Sequence, residues 1–171
     1  MRHIIALTLT LAAMPAAAEV KSSAAGGFEV ESVVTVPVPP AEAYAALGRI
    51  NRWWVSSHTY SGDAANLSIE LRAGACFCER VPEGNGSIEH GRVVYAQPGQ
   101  ALRVSGALGP LQAEGVSGAL TWTLTPSGSG TEIRQSYVVG GYVRGGAERL
   151  APLVDQVMAG QLEGLRQHLA R

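Results

Sequence analysis

The sequence predicts an α+β fold in which a curled antiparallel sheet of about six to seven strands wraps around a long C-terminal helix. Three observations carry this. One β-rich segment precedes a short helical stretch, AEAYAALGRI; a series of short β-rich runs punctuated by turn residues follows it; and one amphipathic stretch closes the chain. A sheet curled onto a helix encloses space, and the pair Trp53 and Trp54 is the kind of lining that a site for an apolar ligand needs. At 171 residues the chain is read as one domain, able to bury roughly 68–70% of its unfolded surface without a disulfide scaffold. Thirteen Lys and Arg against fourteen Asp and Glu leave a formal charge of -1. No broad field then draws nucleic acid or an acidic membrane.

Residues 1–18 read as a cleaved signal peptide. Arg2 gives a positive start, Ile4 to Ala13 is apolar, and Ala16-Ala17-Ala18 offers a small-residue cleavage site before Glu19. The apolar run is about 10–15 residues, short of the roughly 20 that span a bilayer, so no membrane anchor is expected after cleavage. The mature protein is therefore expected in the periplasm or secreted. Residues 19–27 are read as a flexible start and residues 28–171 as the domain.

Phe28 to Val36 alternates apolar and polar residues and reads as a strand, which Pro37, Pro39 and Pro40 end. Pro40 and Glu42 suit the first turn of the helix that follows, with Ala43, Leu47 and Ile50 as its buried stripe. That helix is expected to end near Asn51. Adjacent residues rarely share a face, so one of Trp53 and Trp54 is expected in the core and the other at a cavity mouth or the surface.

Further strands are read near Asn66–Arg72, Cys76–Val81, Glu89–Gln97, Ala101–Gly106, Gly118–Thr125 and Thr131–Gly140. Gly84-Asn85-Gly86, Pro98-Gly99 and Ser127-Gly128-Ser129-Gly130 separate strand from strand. None leads a strand into a helix N-terminus, as a phosphate-binding loop must, and no cofactor is expected. The closing helix is read from Glu148 to Ala170, with Leu150, Val154, Val157, Leu162, Leu165 and Leu169 along one side. Pro152 belongs in its first turn or at a kink. Gly160 and Gly164 each weaken a helix by about 1 kcal/mol relative to Ala, which points to close packing at those positions.

Cys76 and Cys78, two apart in a strand, would have Cα atoms about 6.5–7 Å apart, the upper edge of disulfide reach. Buried free thiols are the preferred reading, with an internal or intermolecular bridge as the alternatives.

The strand followed by VPVPPAEAYAAL, the RWW pair, AGACFCE, EHGRVVYAQPGQALRVSG, LTWTLTPSGSGTEI and the closing helix together resemble the SRPBCC superfamily over residues 28–170. Within it the chain is similar to the domain of the heat-shock-protein ATPase activator and to polyketide cyclase-like domains. The resemblance implies the START-like helix-grip fold with a cavity between sheet and long helix. It implies no shared catalytic residue, because these relatives include carriers, cyclases and cochaperones. Where many activator relatives have Gly-Gly before the strand, this chain has Gly74-Ala75-Cys76.

The register of the hairpin through Pro82 to Ser87 decides what meets His90. With an even index sum, His90 and Arg92 share the face of Cys76, Cys78 and Arg80; with an odd sum, His90 lies with Glu79. In the even register Cys76, Cys78 and His90, joined by His58, form a zinc candidate, although Cys-x-Cys is tighter than usual ligand spacing. In the odd register Glu79 orients His90 as a general base, with Tyr95 or Tyr137 polarising a carbonyl. The plainer alternative is an exposed His90 paired with Glu79 or Glu89. In HTYSGD, His58 and Tyr60 are candidates for a cavity rim and Asp63 for a turn cap. The Gly106–Gly118 loop carries Leu108, Leu111 and Val116, as a lid or as cover for the sheet edge.

The expected inward ligand contacts are Trp53, Trp54, His58, Tyr60, Trp122, Tyr137 and Tyr142. Three functions stand: a carrier of a small hydrophobic or amphipathic molecule, a cyclase or dehydratase using Glu79 and His90, and a protein-interaction module. The first is preferred, since no reactive constellation dominates.

Overall fold

The alternation of GFEVESVVTV folds as β2 (Gly27–Val36), whose Phe28, Val30, Val34 and Val36 are buried on one face. The structure, a computed structural model, describes residues 17–171. The signal segment read at 1–18 lies outside the described residues except for its last two.

Around β2 stand β1 (Ala17–Ala24), α1 (Pro40–Leu47), β3 (Leu67–Ile69), β4 (Cys76–Val81), β5 (Gly86–Gln97), β6 (Ala101–Ser105), β7 (Gly115–Ser127), β8 (Gly130–Tyr142) and α2 (Ala147–Leu169). The eight strands form one antiparallel sheet in the order β1-β2-β8-β7-β6-β5-β4-β3. This is the predicted curled sheet around a C-terminal helix, with one strand more than expected. The extra strand is β1, and it corrects the reading of residues 19–27 as flexible. β1 pairs with β2 from Ala17↔Val33 to Ala24↔Gly27, and α2 packs on it. An edge strand draws its order from its neighbour's ladder, so AAEVKSSA needs little alternation of its own.

Pro39 and Pro40 open α1, and Ala43, Leu47 and Ile50 are buried as expected. The chain then tightens into a 3₁₀ turn at Ile50–Arg52, and both Trp53 and Trp54 are buried. Of the two places expected for the second tryptophan, a cavity mouth or the surface, the surface is ruled out. The expectation of opposite faces assumed strand-like alternation, which a tight turn does not impose.

The concave face of the sheet, with Leu102, Val104, Leu120, Trp122, Ile133 and Tyr137, closes on Ala151, Met158, Leu162 and Leu165 of α2. Two buried glutamines fasten this layer. Gln135 Oε1 accepts from Trp122 Nε1 at 2.9 Å while its Nε2 donates to the Met158 carbonyl at 2.8 Å. Gln161 Oε1 accepts from the Val55 N–H at 2.8 Å, and its amide meets His58 Nδ1 at 2.8 Å. Pro152 sits in the second turn of α2, one turn later than read, and the helix continues through it. A Cβ at Gly164 would overlap the Trp53 carbonyl oxygen, whereas one at Gly160 would meet open space. Close packing thus explains Gly164 alone. No helix among the described residues is long and apolar enough to cross a membrane.

Candidate functional site

The β4–β5 hairpin contains both registers. From the turn to Cys78↔Glu89 the pairing is the odd one; beyond a bulge it becomes Phe77↔Gly91 and Cys76↔Arg92, the even one. The unpaired residue is His90. A bulge adds one residue to one strand and bends it, so two neighbours on β5 can face the same way, and both His90 and Gly91 are buried.

His90 therefore lies inside, against Glu79. Its Nε2 is 2.9 Å from Glu79 Oε2, and the residues are 6% and 1% exposed. The Glu79 carboxylate also accepts the Ser61 N–H at 2.5 Å and the Tyr60 N–H at 3.2 Å. Burial pushes the Glu79 carboxyl up, but the hydrogen bonds from Ser61, Tyr60 and His90 outweigh it and hold it below the usual carboxylate range. With Nε2–H given to Glu79, a neutral His90 presents Nδ1 as an acceptor, and no described residue bonds to Nδ1.

The sign of the Glu79 contribution follows. A lowered folded pKa stabilises above the unfolded value, about 4.3, and the benefit is lost as pH falls through the folded value. The stability gap between the native protein and Glu79→Gln should accordingly narrow as pH drops from about 5 to about 3. Urea unfolding across that range checks this, and a gap that stays constant overturns it.

Rings continue from the pair into the core. His90 lies 4.8 Å from Phe77, Phe77 5.6 Å from Trp54, Trp54 5.6 Å from Trp53, and Trp53 6.4 Å from Trp122, all as centroid distances. On the other side the Tyr60 ring is 6.0 Å from His90.

The Gly106–Gly118 loop is tied to both sides of His90. Tyr60 Oη donates to the Gly109 carbonyl at 2.8 Å, and Gln112 Nε2 donates to the Glu89 carbonyl at 2.9 Å. At its root, Tyr137 Oη donates to the Gly106 carbonyl and accepts the Leu108 N–H, each at 3.0 Å. Burial, opposed by the Leu108 bond, pushes the Tyr137 hydroxyl up to about 12, so it stays a proton donor. Leu111 is buried, and Leu108 and Val116 pack against the core. The loop thus covers this end of the sheet. Glycines make the approach: a Cβ on Gly118 would come 2.6 Å from the Tyr137 ring, and one on Gly91 would come 2.6 Å from the Ser105 carbonyl oxygen.

Of the sequence candidates, Glu79, His90, Tyr60 and Tyr137 converge here, with Trp53, Trp54 and Trp122 along the ring series. His58 is exposed and reaches Gln161 instead, while the Trp54 indole N–H donates to its carbonyl at 3.3 Å. Tyr142 is 71% exposed and takes no part, which corrects its placement as an inward contact. Tyr95 also faces outward, bonded to Gln97, so it polarises nothing at His90. Asp63 caps a turn by accepting the Ala65 N–H at 2.9 Å. Cys76 and Cys78 are joined as a disulfide, correcting the free-thiol reading. His90 turns to the opposite face, so the zinc set of Cys76, Cys78 and His90 is not assembled, and no other metal cluster forms among the described residues. Sequence reasoning missed Gln161 and Gln135. A glutamine inside the apolar stripe of the closing helix was the available signal for Gln161.

The family described as polyketide cyclase / dehydrase and lipid transport matches residues 27–170. No curated protein matches the chain. Among solved structures, Mll3558 from Rhizobium loti is 23% identical over 82% of this chain and 96% of its own, with a TM-score of 0.61. CalU16 from Micromonospora echinospora is 19% identical over 90% and 84%, with a TM-score of 0.60. DynU16, a protein of the dynemicin biosynthetic locus, is 18% identical over 82% of this chain and 46% of its own, with a TM-score of 0.58. These three share the fold.

Proposed function

Because the chain belongs to the polyketide cyclase / dehydrase and lipid transport family of the SRPBCC superfamily, we propose that it is an exported domain that takes a small hydrophobic or amphipathic molecule beneath the Gly106–Gly118 loop. The Glu79–His90 pair carries the reading. Glu79 fixes the imidazole with Nε2–H inward, which leaves Nδ1 to accept a hydrogen bond from a ligand hydroxyl or acid. Phe77, Trp54 and Tyr60 supply apolar surface around it. Two of the loop's ties, Tyr60 to Gly109 and Gln112 to Glu89, are exposed hydrogen bonds, which water replaces at little cost on opening. Residues 1–18 support export, as does the disulfide, a bond that persists in oxidising compartments.

The same orientation favours a second reading, a cyclase or dehydratase. Nδ1 would take a proton next to a substrate carbonyl, and Glu79 would stabilise the imidazolium so formed. Turnover with pH dependence separates this from a carrier.

Native mass spectrometry of protein purified from its own host's periplasm tests the binding reading, which expects a co-purifying organic mass. In His90→Gln the amide can still donate to Glu79 but offers no basic nitrogen. The variant should fold, lose most of its occupancy and, if the domain is catalytic, its turnover. Full occupancy and full turnover in His90→Gln would remove His90 from the site. Amide exchange over 106–118 should slow with ligand; unchanged exchange at saturation refutes the lid.

A further inference from the structure

The Cys76–Cys78 disulfide lies on the opposite face of β4 from Glu79 and His90, and the ligand site makes no use of it. Both cysteines are half-buried, and Cys76 lines an open recess of about 360 Å³ with Ser68, Arg72, Gly74, Ala75 and Arg92. We propose that this bond is a redox centre that exchanges with the two thiols of a peptide dithiol seated in the recess.

Stability gives the bond little reason to exist. It closes a loop of only three residues, and the loop-closure contribution of a disulfide grows with loop length. The strand is held without it, by Ser68↔Cys78 and Ile69↔Phe77 on one side and Cys76↔Arg92 and Cys78↔Glu89 on the other. Phe77, between the cysteines, is buried in the core. Reduction therefore opens the bond without opening the fold.

An extended strand holds residues two apart at about 6.5–7 Å. Beside the β5 bulge the cysteine Cα atoms stand 5.4 Å apart, within ordinary disulfide reach, so the two thiols stay placed to close again after reduction. Arg92, the ladder partner of Cys76, stands on the rim of the same recess with its guanidinium paired to the Glu89 carboxylate at 2.7 and 3.0 Å.

The exchange balances within the two partners. A peptide thiolate attacks Sγ of Cys76, the cysteine at the recess; the Cys76–Cys78 bond breaks, and Cys78 leaves as a thiolate and is protonated from water. The second peptide thiolate then attacks the peptide's own sulfur in the mixed disulfide and releases Cys76. The peptide loses two electrons and becomes a disulfide, and Cys76 and Cys78 gain them and become two thiols. One peptide is oxidised per chain.

The test incubates the full folded chain with a reduced Cys-x-x-Cys peptide and, in parallel, with glutathione at equal thiol concentration, and reads thiols by alkylation and mass. The expected result is one peptide disulfide per chain within minutes, at a rate at least tenfold above that with glutathione, and a melting temperature unchanged by reduction. Cys78→Ser should accumulate a mixed disulfide through Cys76 when offered the disulfide-linked dimer of a single-cysteine peptide, which has no second thiol to reverse the step, and Cys76→Ser at least tenfold less. A bond that resists the peptide until urea unfolds the chain, or whose reduction lowers the melting temperature, overturns the redox role. Equal rates with peptide and glutathione overturn the docking of the peptide.

Discussion

Glu79→Ala should lower stability by about 3–5 kcal/mol, the range seen when one partner of a buried pair is removed. The change strips the acceptor from three donors at once: the Tyr60 N–H, the Ser61 N–H and His90 Nε2. The buried His90 donor left without a partner costs about 1–3 kcal/mol, and the two part-buried backbone donors add smaller amounts. In a domain of this size each kcal/mol moves the melting temperature by about 2–4 °C, so a drop of roughly 10 °C or more is expected. Glu79→Gln keeps an acceptor oxygen and should cost clearly less. Losing both partners should cost less than the sum of the single losses, because Glu79→Ala with His90→Ala leaves no orphan between them. Urea unfolding of the four proteins measures the cycle. A Glu79→Ala cost under about 1 kcal/mol would show that the pair is not the buried anchor its geometry describes.

Gly164→Ala should destabilise by about 1–3 kcal/mol or more, although alanine is the better helix former by about 1 kcal/mol. The added methyl runs into the Trp53 carbonyl oxygen, which is backbone and cannot swing aside. To admit it, α2 must lift from the tryptophan turn, and Gln161, three residues away, must give up Val55. Gly160→Ala is the matched control. Its methyl meets open space within the same helix, so it should stabilise by about 1 kcal/mol. Opposite signs from one chemical change on one helix are the expected outcome; the same sign for both would refute the close approach at Gly164.

Much of this architecture was legible because it rests on local chemistry. The prolines before α1, the turn residues between strands and the apolar side of α2 each act within a few residues, and the fold follows from them. What escaped depends on a neighbour. β1 gains its order from β2, the paired tryptophans from a 3₁₀ turn, and the disulfide from one extra residue on the adjoining strand. The site shows the same division. Both registers of the β4–β5 hairpin could be written from the sequence, and the structure uses each over part of its length. Only pairing across the sheet could show that the switch falls at His90, the residue whose surroundings it decides.

The series of rings from Trp122 through Trp53, Trp54 and Phe77 to His90 has an optical consequence. The three indoles are the chain's full complement of tryptophan, they lie within one cluster, and its outer end is two rings from the imidazole. The protein's near-ultraviolet signal is thus an internal gauge of its own site. A change of charge or occupancy at His90 should be read out at Trp54, with no dye attached and no residue replaced.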